Sequence, residues 1–435
     1  MGWLRRSPAM NILFVHQNMP AQFKHLAPHL AAEGHRVVFL TQTIRRTLPG
    51  VQAVTYPAPA AATTNGHPYL RRLEDAVRTG QQVVRAVQNL ASAGFQPDLI
   101  IAHSGWGEPL FLKEAMPGTP LIVFAEYFYR SRGADVGFDP EEPYTLDTIC
   151  RTRLKNANLL ACLDACDRAV SPTQWQLRSH PPEYWGKIAQ IFDGIDLDEV
   201  SPRAICEMML PGGQRIRRGD PIVTFVSRNL EPYRGLRPML RAVPAMLAGN
   251  PDLRIIFVGG DQVSYGGKPP DGSASWREHL VKEYDIASDR VHFVGRLDYA
   301  TYLDLLSLSR VHVYLTYPFV LSWSCFEAMA MGPLVVASDV APVREVIKPG
   351  YNGLLVDFFD HAALAGQVID ALKDWESLAS IRRNARLTIE RQYGLDRSLR
   401  SWRNLINDVT GGGIRPSRET RFRPPQGTMR LQRIQ

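Results

Sequence analysis

The chain has 435 residues, of which 45% are hydrophobic and 21% charged, a composition typical of a globular protein with two or three domains. No apolar run reaches the roughly 18–20 residues needed to cross a bilayer, and we expect no secretory signal in residues 1–9. The net charge of +7 does not indicate a nucleic-acid partner, because residues 414–435 alone carry six arginines and one glutamate.

The five cysteines show no metal-like spacing, which favours reduced thiols in a cytoplasmic protein. The arginine-rich end can be interpreted in two ways. It is either a disordered, solubilising tail or a peripheral contact with anionic lipid at the inner membrane face.

The first half alternates predicted strands and helices. Residues 11–15 predict a strand, residues 23–33 have apolar side chains at helical spacing before Gly34, and residues 37–40 predict a second strand. Such a unit builds a parallel sheet. The pattern continues with helices at 73–93 and 154–165, strands at 98–102, 120–125 and 168–171, and a strand with a glycine turn in 188–196.

Polar side chains follow three of these strands directly. They are His16 and Gln17, His103 and Ser104, and Glu126 and Tyr127. Ligands of open α/β sheets bind outside the carboxyl ends of the strands, so we expect a site at this edge.

After a polar connector at 201–220, the alternation begins again. The predicted elements are strands at 222–226, 253–259, 291–295, 311–315 and 334–337, and helices at 236–248, 299–309, 325–331, 360–373, 376–391 and 395–409. The sequence therefore predicts an α/β fold with two doubly wound, Rossmann-like halves facing each other across a cleft.

The predicted domain organisation has five parts. They are a leader at 1–9, a first domain at 10–200, a second domain at 201–390, a helix at 391–410 that returns to the first domain, and a basic disordered tail at 411–435.

Arg228 and Arg234 lie on one strand-to-helix loop in the second half. Two guanidinium groups beside a helix N-terminus suit a diphosphate ligand. Alternatively, both are solvated surface arginines and Gly235 is an ordinary turn residue. The pair alone does not decide between these interpretations.

Glu327 also has two interpretations. Ser324 and Glu327 have the spacing of a capping box, in which the glutamate bonds the amide of the cap residue. Its carboxylate could instead accept hydrogen bonds from the vicinal hydroxyls of a ribose. The local pattern favours the cap.

A longer pattern bears on both questions. FEAMAMGPLVVASDVAPVREVI, followed by GYNGLLVD, closely resembles the signature of retaining glycosyltransferase family 4, whose architecture is GT-B. Similar matches occur at FVSRNLEPYRGL, IIFVGGD, RVHFVGRL and ILFVHQNMPAQFKHLAPHLAAEGHRV. The resemblance implies that the second domain binds a nucleotide diphosphate sugar, UDP- or GDP-linked, and that the first domain binds the acceptor.

By this resemblance, Arg228 and Arg234 would hold the diphosphate, Arg234 standing where the family usually has lysine, and Glu327 would bind the ribose. The other positions expected on the donor side are Gly235, Phe319, Phe293, Val294, Gly295 and Arg296, the last four lining the base pocket, and Ser324, Cys325 and Phe326, which would face phosphate through their amides. Those expected on the acceptor side are Gln17 and Gln22, which follow the first strand, and Tyr127, Tyr129 and Arg130 in a long aromatic segment at 127–150 that we expect to shape the acceptor pocket. No bound metal or cofactor is implied.

The chain departs from the family pattern at three places. Phe319 stands where the first of two paired glutamates is expected, Glu126 stands where the family tends to have histidine, and residues 19–22 replace a Gly-Gly turn. We hypothesise that Glu126 partly replaces the carboxylate lost at position 319. His103 is a further catalytic candidate, although a structural histidine explains it equally well.

The expected function is transfer of a hexose, with retention, from a nucleotide diphosphate sugar to an acceptor hydroxyl. A glycan or lipid-linked acceptor in polysaccharide or glycoconjugate synthesis is expected by analogy. Two alternatives remain: a non-catalytic nucleotide-sugar-binding scaffold, suggested by Phe319, and a sugar-nucleotide epimerase on the same architecture. A phosphorylase would need a pyridoxal-binding lysine that the sequence does not identify.

Overall fold

The computed structural model describes residues 9–60 and 66–411. Apart from residues 9 and 411, the predicted leader and basic tail lie outside the described residues.

The first domain is built on a parallel sheet of seven strands. In spatial order they are Val51–Thr55, Arg36–Thr41, Asn11–Val15, Leu99–His103, Leu121–Phe124, Arg168–Ser171 and Ile188–Gln190. The helices of this half are Leu26–Ala32, Arg71–Ser92, Leu112–Ala115, Leu146–Lys155, Ala157–Ala165 and Gln174–Ser179. The central strands are buried on both faces, which explains why they appear in the sequence as continuous apolar runs.

The second domain contains a parallel sheet of six strands. In spatial order they are Val291–Phe293, Arg254–Gly260, Ile222–Asn229, Val311–Tyr314, Leu334–Ser338 and Leu354–Val356. The helices here are Leu236–Gly249, Trp276–Glu283, Tyr299–Leu308, Trp323–Met331, Ala341–Val346, His361–Lys373 and Ala379–Thr388. Two doubly wound domains facing each other match the predicted fold class.

Several element predictions were wrong in detail. The single helix predicted at 154–165 is two helices, and the first begins early because the Thr145 side chain accepts the Thr148 amide and caps it. The strands Val51–Thr55 and Leu354–Val356 were missed, since both lie at sheet edges and are only partly buried. The connector at 201–220 contains a short hairpin, Glu207–Met209 with Arg215–Arg217.

The last described helix, Leu395–Val409, packs against the first domain. Its Trp402 and Ile406 side chains belong to the same apolar core as Phe14 on the central strand. Arg168 of the first domain also pairs with Asp408 at 2.8 Å. The chain thus returns to its first domain after completing the second.

A segment of the first domain, residues 135–142, crosses in the other direction, and we call it the crossing segment. Its Asp139 is buried and accepts from Tyr317 at 2.5 Å and from Arg237 at 3.3 Å. Glu142 accepts from the same guanidinium at 3.0 Å. Arg237 and Tyr317 belong to the second domain, so the crossing segment joins the two domains through buried charges.

The crossing segment also contributes an apolar contact. The Phe138 ring lies 5.2, 5.3 and 5.1 Å from the ring centroids of Tyr317, Phe358 and Phe359. This part of the 127–150 segment, which we expected to shape an acceptor pocket, therefore packs on the second domain. Its aromatic and acidic residues serve a contact between domains.

Across the described ranges, no helix is both long and apolar enough to span a bilayer. The same ranges contain no group of three His, Cys, Asp or Glu side chains placed to share a metal ion.

Candidate active site

The polar residues at the ends of the first domain's strands lie together at one wall of the cleft. The Nε2 atom of His103 lies 3.8 Å from the Glu126 carboxylate, and Gln22 donates to that carboxylate at 2.9 Å. The Nδ1 atom of His103 accepts the Gly105 amide at 2.9 Å, so the N–H of this ring is on Nε2, which faces Glu126. The buried ring of His16 lies edge-on to His103, with centroids 4.9 Å apart.

Protonation at this wall follows from burial and neighbouring charge. Burial and the nearby His103 lower the pKa of His16 well below its usual value, so His16 is neutral at neutral pH. Burial acts to raise the pKa of Glu126, but the neighbouring His103 ring, the hydrogen bond from Gln22 and the charge of Arg228 outweigh it and lower that pKa. Glu126 is therefore a carboxylate.

Arg234 lies at the opposite wall, with its guanidinium buried. Its Nη1 donates to Thr316 Oγ1 at 2.9 Å and to the Val320 carbonyl at 2.8 Å. The guanidinium also lies 5.2 Å from the Tyr265 ring centroid and 5.6 Å from that of Phe319. All these partners are uncharged.

The backbone conformation and close packing at position 235 require glycine. Its φ of +79° is left-handed, and a Cβ at this position would lie 2.2 Å from the Leu315 side chain. Glycine therefore lets the helix Leu236–Gly249 begin close to the end of the central strand. This turn places Arg234 at the edge of the sheet.

Glu327 does not form the capping box predicted as one alternative. The helix begins at Trp323 and is capped by Ser322, so Glu327 lies too deep in the helix to reach the cap amide. Its carboxylate accepts instead from the hydroxyls of Tyr299 at 2.7 Å and Tyr302 at 2.9 Å. Burial raises the pKa of Glu327, while these two hydroxyls and the charge of Lys24 oppose the rise.

The amides at the head of this helix are partly occupied. Ser324 donates to the Ser322 hydroxyl at 3.3 Å, and Cys325 donates to the Ser322 carbonyl at 3.1 Å. The side chains of Cys325 and Phe326 are fully buried in the core. A phosphate bound here would replace the long bond from Ser324 to the Ser322 hydroxyl.

The predicted base pocket lies beside strand Val291–Phe293. The Arg296 guanidinium donates to the Asn229 side chain at 2.8 Å and would lie 2.6 Å from a Cβ at position 260, where the chain has glycine. A cavity of about 500 Å³ adjoins it. The residues lining this cavity are Asp261, Ala274, Ser275, Arg277, Glu278, Val281, Lys282 and Phe293. Val294 and Gly295 follow the end of this strand, and Gly295 has a φ of +68°.

Phe319 lies inside a cluster of tyrosine rings and is only 3% exposed. The surrounding rings belong to Tyr127, Tyr129, Tyr233 and Tyr265, with centroid separations of 4.8, 6.3, 5.2 and 5.0 Å. A glutamate side chain here would be surrounded by aromatic rings rather than by solvent. The residue that departs from the family pattern is therefore part of the contact between the two domains.

The acceptor-side residues do not all face the cleft. Arg130 donates to the carbonyls of Ser179 and Arg178, at 2.8 and 2.5 Å, because the carboxyl end of the helix Gln174–Ser179 attracts a cation. Its predicted role is therefore not supported by its position. Tyr127 is buried between Phe319 and Trp175, whereas Gln17 fixes the neighbouring turn through its backbone carbonyl.

Arg228 is exposed at the cleft, and its charge acts on Glu126 of the opposite wall. The two predicted arginines thus differ, since Arg234 is buried and fixed whereas Arg228 is open to solvent.

Several residues of the site were not predicted from the sequence. They are Lys24, Asp193, Tyr265, Tyr299, Tyr302, Thr316 and Trp323. The spacing of Tyr299 and Tyr302, three apart at the start of a helix, was a usable signal, because it places both hydroxyls on one helix face. The others reach the site only through the fold.

The fold is that of the GT-B glycosyltransferases. Sucrose-phosphate synthase from Thermosynechococcus elongatus superposes with a TM-score of 0.71 at 21% identity, covering 92% of this chain and 99% of that one. The HepE protein of Anabaena, solved with UDP-glucose, superposes with a TM-score of 0.64 at 14% identity, covering 92% of this chain and all of that one.

Two family models match consecutive parts of the chain: "Glycosyl transferase family 4 group" over residues 33–200 and "Glycosyl transferases group 1" over residues 212–388. Together they span most of both domains. The chain belongs to glycosyltransferase family 4, as its motifs suggested.

Curated relatives match over shorter regions. Spore coat protein SA of Bacillus subtilis is 26% identical over 54% of this chain and 63% of its own length. Phosphatidyl-myo-inositol mannosyltransferase of Mycolicibacterium smegmatis is 29% identical over 44% of this chain and 46% of its own. The match therefore spans less than two thirds of each relative.

Proposed function

We propose that the protein is a retaining glycosyltransferase that moves a hexose from a UDP- or GDP-linked sugar to an acceptor hydroxyl. One observation carries the proposal: a buried cation, Arg234, and a buried acid, Glu327, face one cleft while bonded to uncharged groups. Within the described residues, neither forms an ion pair. A nucleotide diphosphate sugar offers each the partner it lacks, a diphosphate and a pair of ribose hydroxyls.

The chemistry follows from where charge develops. When the bond from the sugar to the diphosphate breaks, negative charge grows on the leaving phosphate. Arg234 and the exposed Arg228 stabilise that charge without a metal ion, and the fixed position of Arg234 avoids reorganisation during the step. Glu126, on the opposite wall, is the carboxylate available to the reacting sugar or acceptor.

The partners follow from the same proposal. The acceptor is a glycan or a lipid-linked sugar, in polysaccharide or glycoconjugate synthesis, and it approaches from the wall that carries His103 and Glu126. We place the protein in the cytoplasm, with the arginine-rich end as a peripheral contact with the inner membrane face. The five cysteines, all free thiols, are consistent with that location.

A thermal-shift series tests the proposal. UDP, GDP and their glucose, mannose and N-acetylglucosamine conjugates are added separately, and a ligand that binds the native state raises the unfolding temperature. Positive donors then enter a nucleotide-release assay with and without candidate acceptors, in the presence and absence of EDTA. We expect acceptor-dependent release that EDTA does not abolish. No stabilisation by any diphosphate would contradict the proposal.

A second function is favoured by the burial of Phe319 among tyrosine rings, where the family has a carboxylate. Under this alternative, the protein binds a nucleotide sugar without transferring it. Donor binding with no nucleotide release to any acceptor would support that alternative. Conversion of the donor sugar without an acceptor would instead support an epimerase.

A further inference from the structure

Lys24 of the first domain reaches across the cleft to the second domain. It follows the short turn Ala21–Phe23, and its ammonium lies 4.3 Å from the ring centroid of Trp323 and 5.8 Å from that of Tyr299. Both rings belong to the second domain. A cation from one domain therefore rests on aromatic faces of the other.

Trp323 is the first residue of the helix that carries Glu327. Its indole Nε1 donates to the carboxylate of Asp193, in the first domain, at 2.7 Å. The first domain thus holds the Trp323 ring at its face through Lys24 and at its edge through Asp193. This contact lies at the end of the helix whose first amides the family resemblance assigns to the donor.

The ammonium of Lys24 is short of hydrogen-bond acceptors. Within residues 9–60 and 66–411, it has no hydrogen bond and no ion pair. The nearby acids Glu327 and Asp193 act on it by charge, but among the described residues neither carboxylate forms an ion pair with it. An ammonium group has three donors, and aromatic faces do not replace an anionic acceptor.

We propose that Lys24 is a donor-binding residue, which contacts the diphosphate of the nucleotide sugar from the first-domain side. This inference rests on the proposed function and adds a residue to it. Arg228 and Arg234 approach the diphosphate from the second domain, and Lys24 completes the set across the cleft. Residues 19–22, which replace the Gly-Gly turn of the family, lie just before Lys24 in the sequence. A glycine turn lets the backbone approach a ligand closely. In this chain the long cationic side chain of Lys24 takes that place.

Because Lys24 and Trp323 belong to different domains, a phosphate held by Lys24 and the helix end links the domains through the ligand. Donor binding would then hold the two walls of the cleft together.

Titration calorimetry with UDP, or with GDP if only GDP binds, tests the role of Lys24. The variants are Lys24→Met, Lys24→Arg and, as a matched control, Lys373→Met, which alters an exposed lysine at the end of the helix His361–Lys373. We expect Lys24→Met to weaken nucleotide diphosphate binding about tenfold, the effect of one lost charge-assisted bond. Lys24→Arg should remain within about threefold of the unaltered chain because it keeps the charge.

The corresponding nucleoside separates phosphate binding from a general disturbance of the cleft. Its affinity should not change in Lys24→Met, and the unfolding temperature without ligand should match that of the unaltered chain. Equal diphosphate affinity in Lys24→Met and the unaltered chain would overturn the role of Lys24 and leave the proposed function standing. An equal loss for nucleoside and diphosphate would also overturn it. Failure of the unaltered chain to bind either diphosphate would overturn the proposed function itself.

Discussion

The two walls of the cleft hold their charged groups in different ways. At the second-domain wall, Arg234 and Glu327 are each bonded to hydroxyls or a carbonyl, so both side chains are oriented without forming an ion pair among the described residues. At the first-domain wall, Glu126 is stabilised by His103 and Gln22 and by the charge of Arg228 from across the cleft. Uncharged partners fix a group while preserving its charge for a ligand. The second wall is therefore the one prepared for a charged ligand.

The strongest challenge to this contrast is Arg234→Met. The substitution removes the buried, fixed cation of the second wall and leaves the developing phosphate charge to Arg228 and Lys24. We expect nucleotide release to fall by about 100- to 1,000-fold, as when one preorganised donor is removed from an enzyme site. Arg234→Lys is the control, because it keeps a cation where the family usually has lysine, and it should lose less. A fall below tenfold for Arg234→Met would contradict the assignment.

Glu108 can be compared with the acids of the two cleft walls, because it accepts from a tyrosine hydroxyl but lies in the fully buried interior of the first domain. Burial raises its pKa to about 7, and Tyr56 donates to it at 3.3 Å. The unfolded chain ionises this acid near its ordinary pKa of 4.5, below the folded value. Its contribution to folding is therefore fully present below that ordinary pKa and is lost as pH rises toward 7.

Glu108→Gln should remove this dependence. We expect the free energy of unfolding of the unaltered chain to fall, relative to the variant, by about 3 kcal/mol between pH 4.5 and 7. Urea unfolding at a series of pH values measures it. The exposed Glu114→Gln is the control and should follow the unaltered chain. Parallel curves for Glu108→Gln and the unaltered chain would show that Glu108 is ionised in the native state.

At the first wall, Glu126→Gln removes the charge but keeps the shape. We expect transfer to fall about tenfold or more, since the variant can no longer stabilise positive charge on the reacting sugar or accept a proton. Nucleotide release with acceptor measures the effect, and donor affinity by calorimetry should change little. Full activity in a folded Glu126→Gln protein would rule out the idea that this residue replaces the carboxylate missing at position 319.

The smallest effect is expected for Tyr302→Phe, which removes one of the two hydroxyls that orient Glu327. Loss of one such bond should weaken nucleotide diphosphate binding about fivefold. Tyr284→Phe is the matched control, because Tyr284 packs beside Arg241 rather than in the cleft. Equal affinity in both variants would show that Tyr302 does not position Glu327.

The regular parts of the fold could be predicted because their signals are local. Buried parallel strands are short apolar runs between turn residues, and the motifs around Arg234 and Glu327 are continuous in sequence. The partners of these residues could not be predicted so well. Tyr302 lies 25 residues before Glu327, and Asp193 and Trp323 are separated by 130 residues. The local S-x-x-E pattern even favoured a cap, because the helix begins earlier than its composition indicates.

Because of the crossing segment and the helix Leu395–Val409, the division of the chain into domains by sequence differs from its division by packing. Each half of the chain completes its partner: residues 135–142 dock on the second domain, and the final helix docks on the first. A protease cut in the connector at 201–220 would therefore leave two fragments that remain associated in solution. A chain shortened at residue 390 would expose the apolar surface of the first domain that Trp402 covers. Neither half is therefore an independent unit that could be exchanged between related proteins.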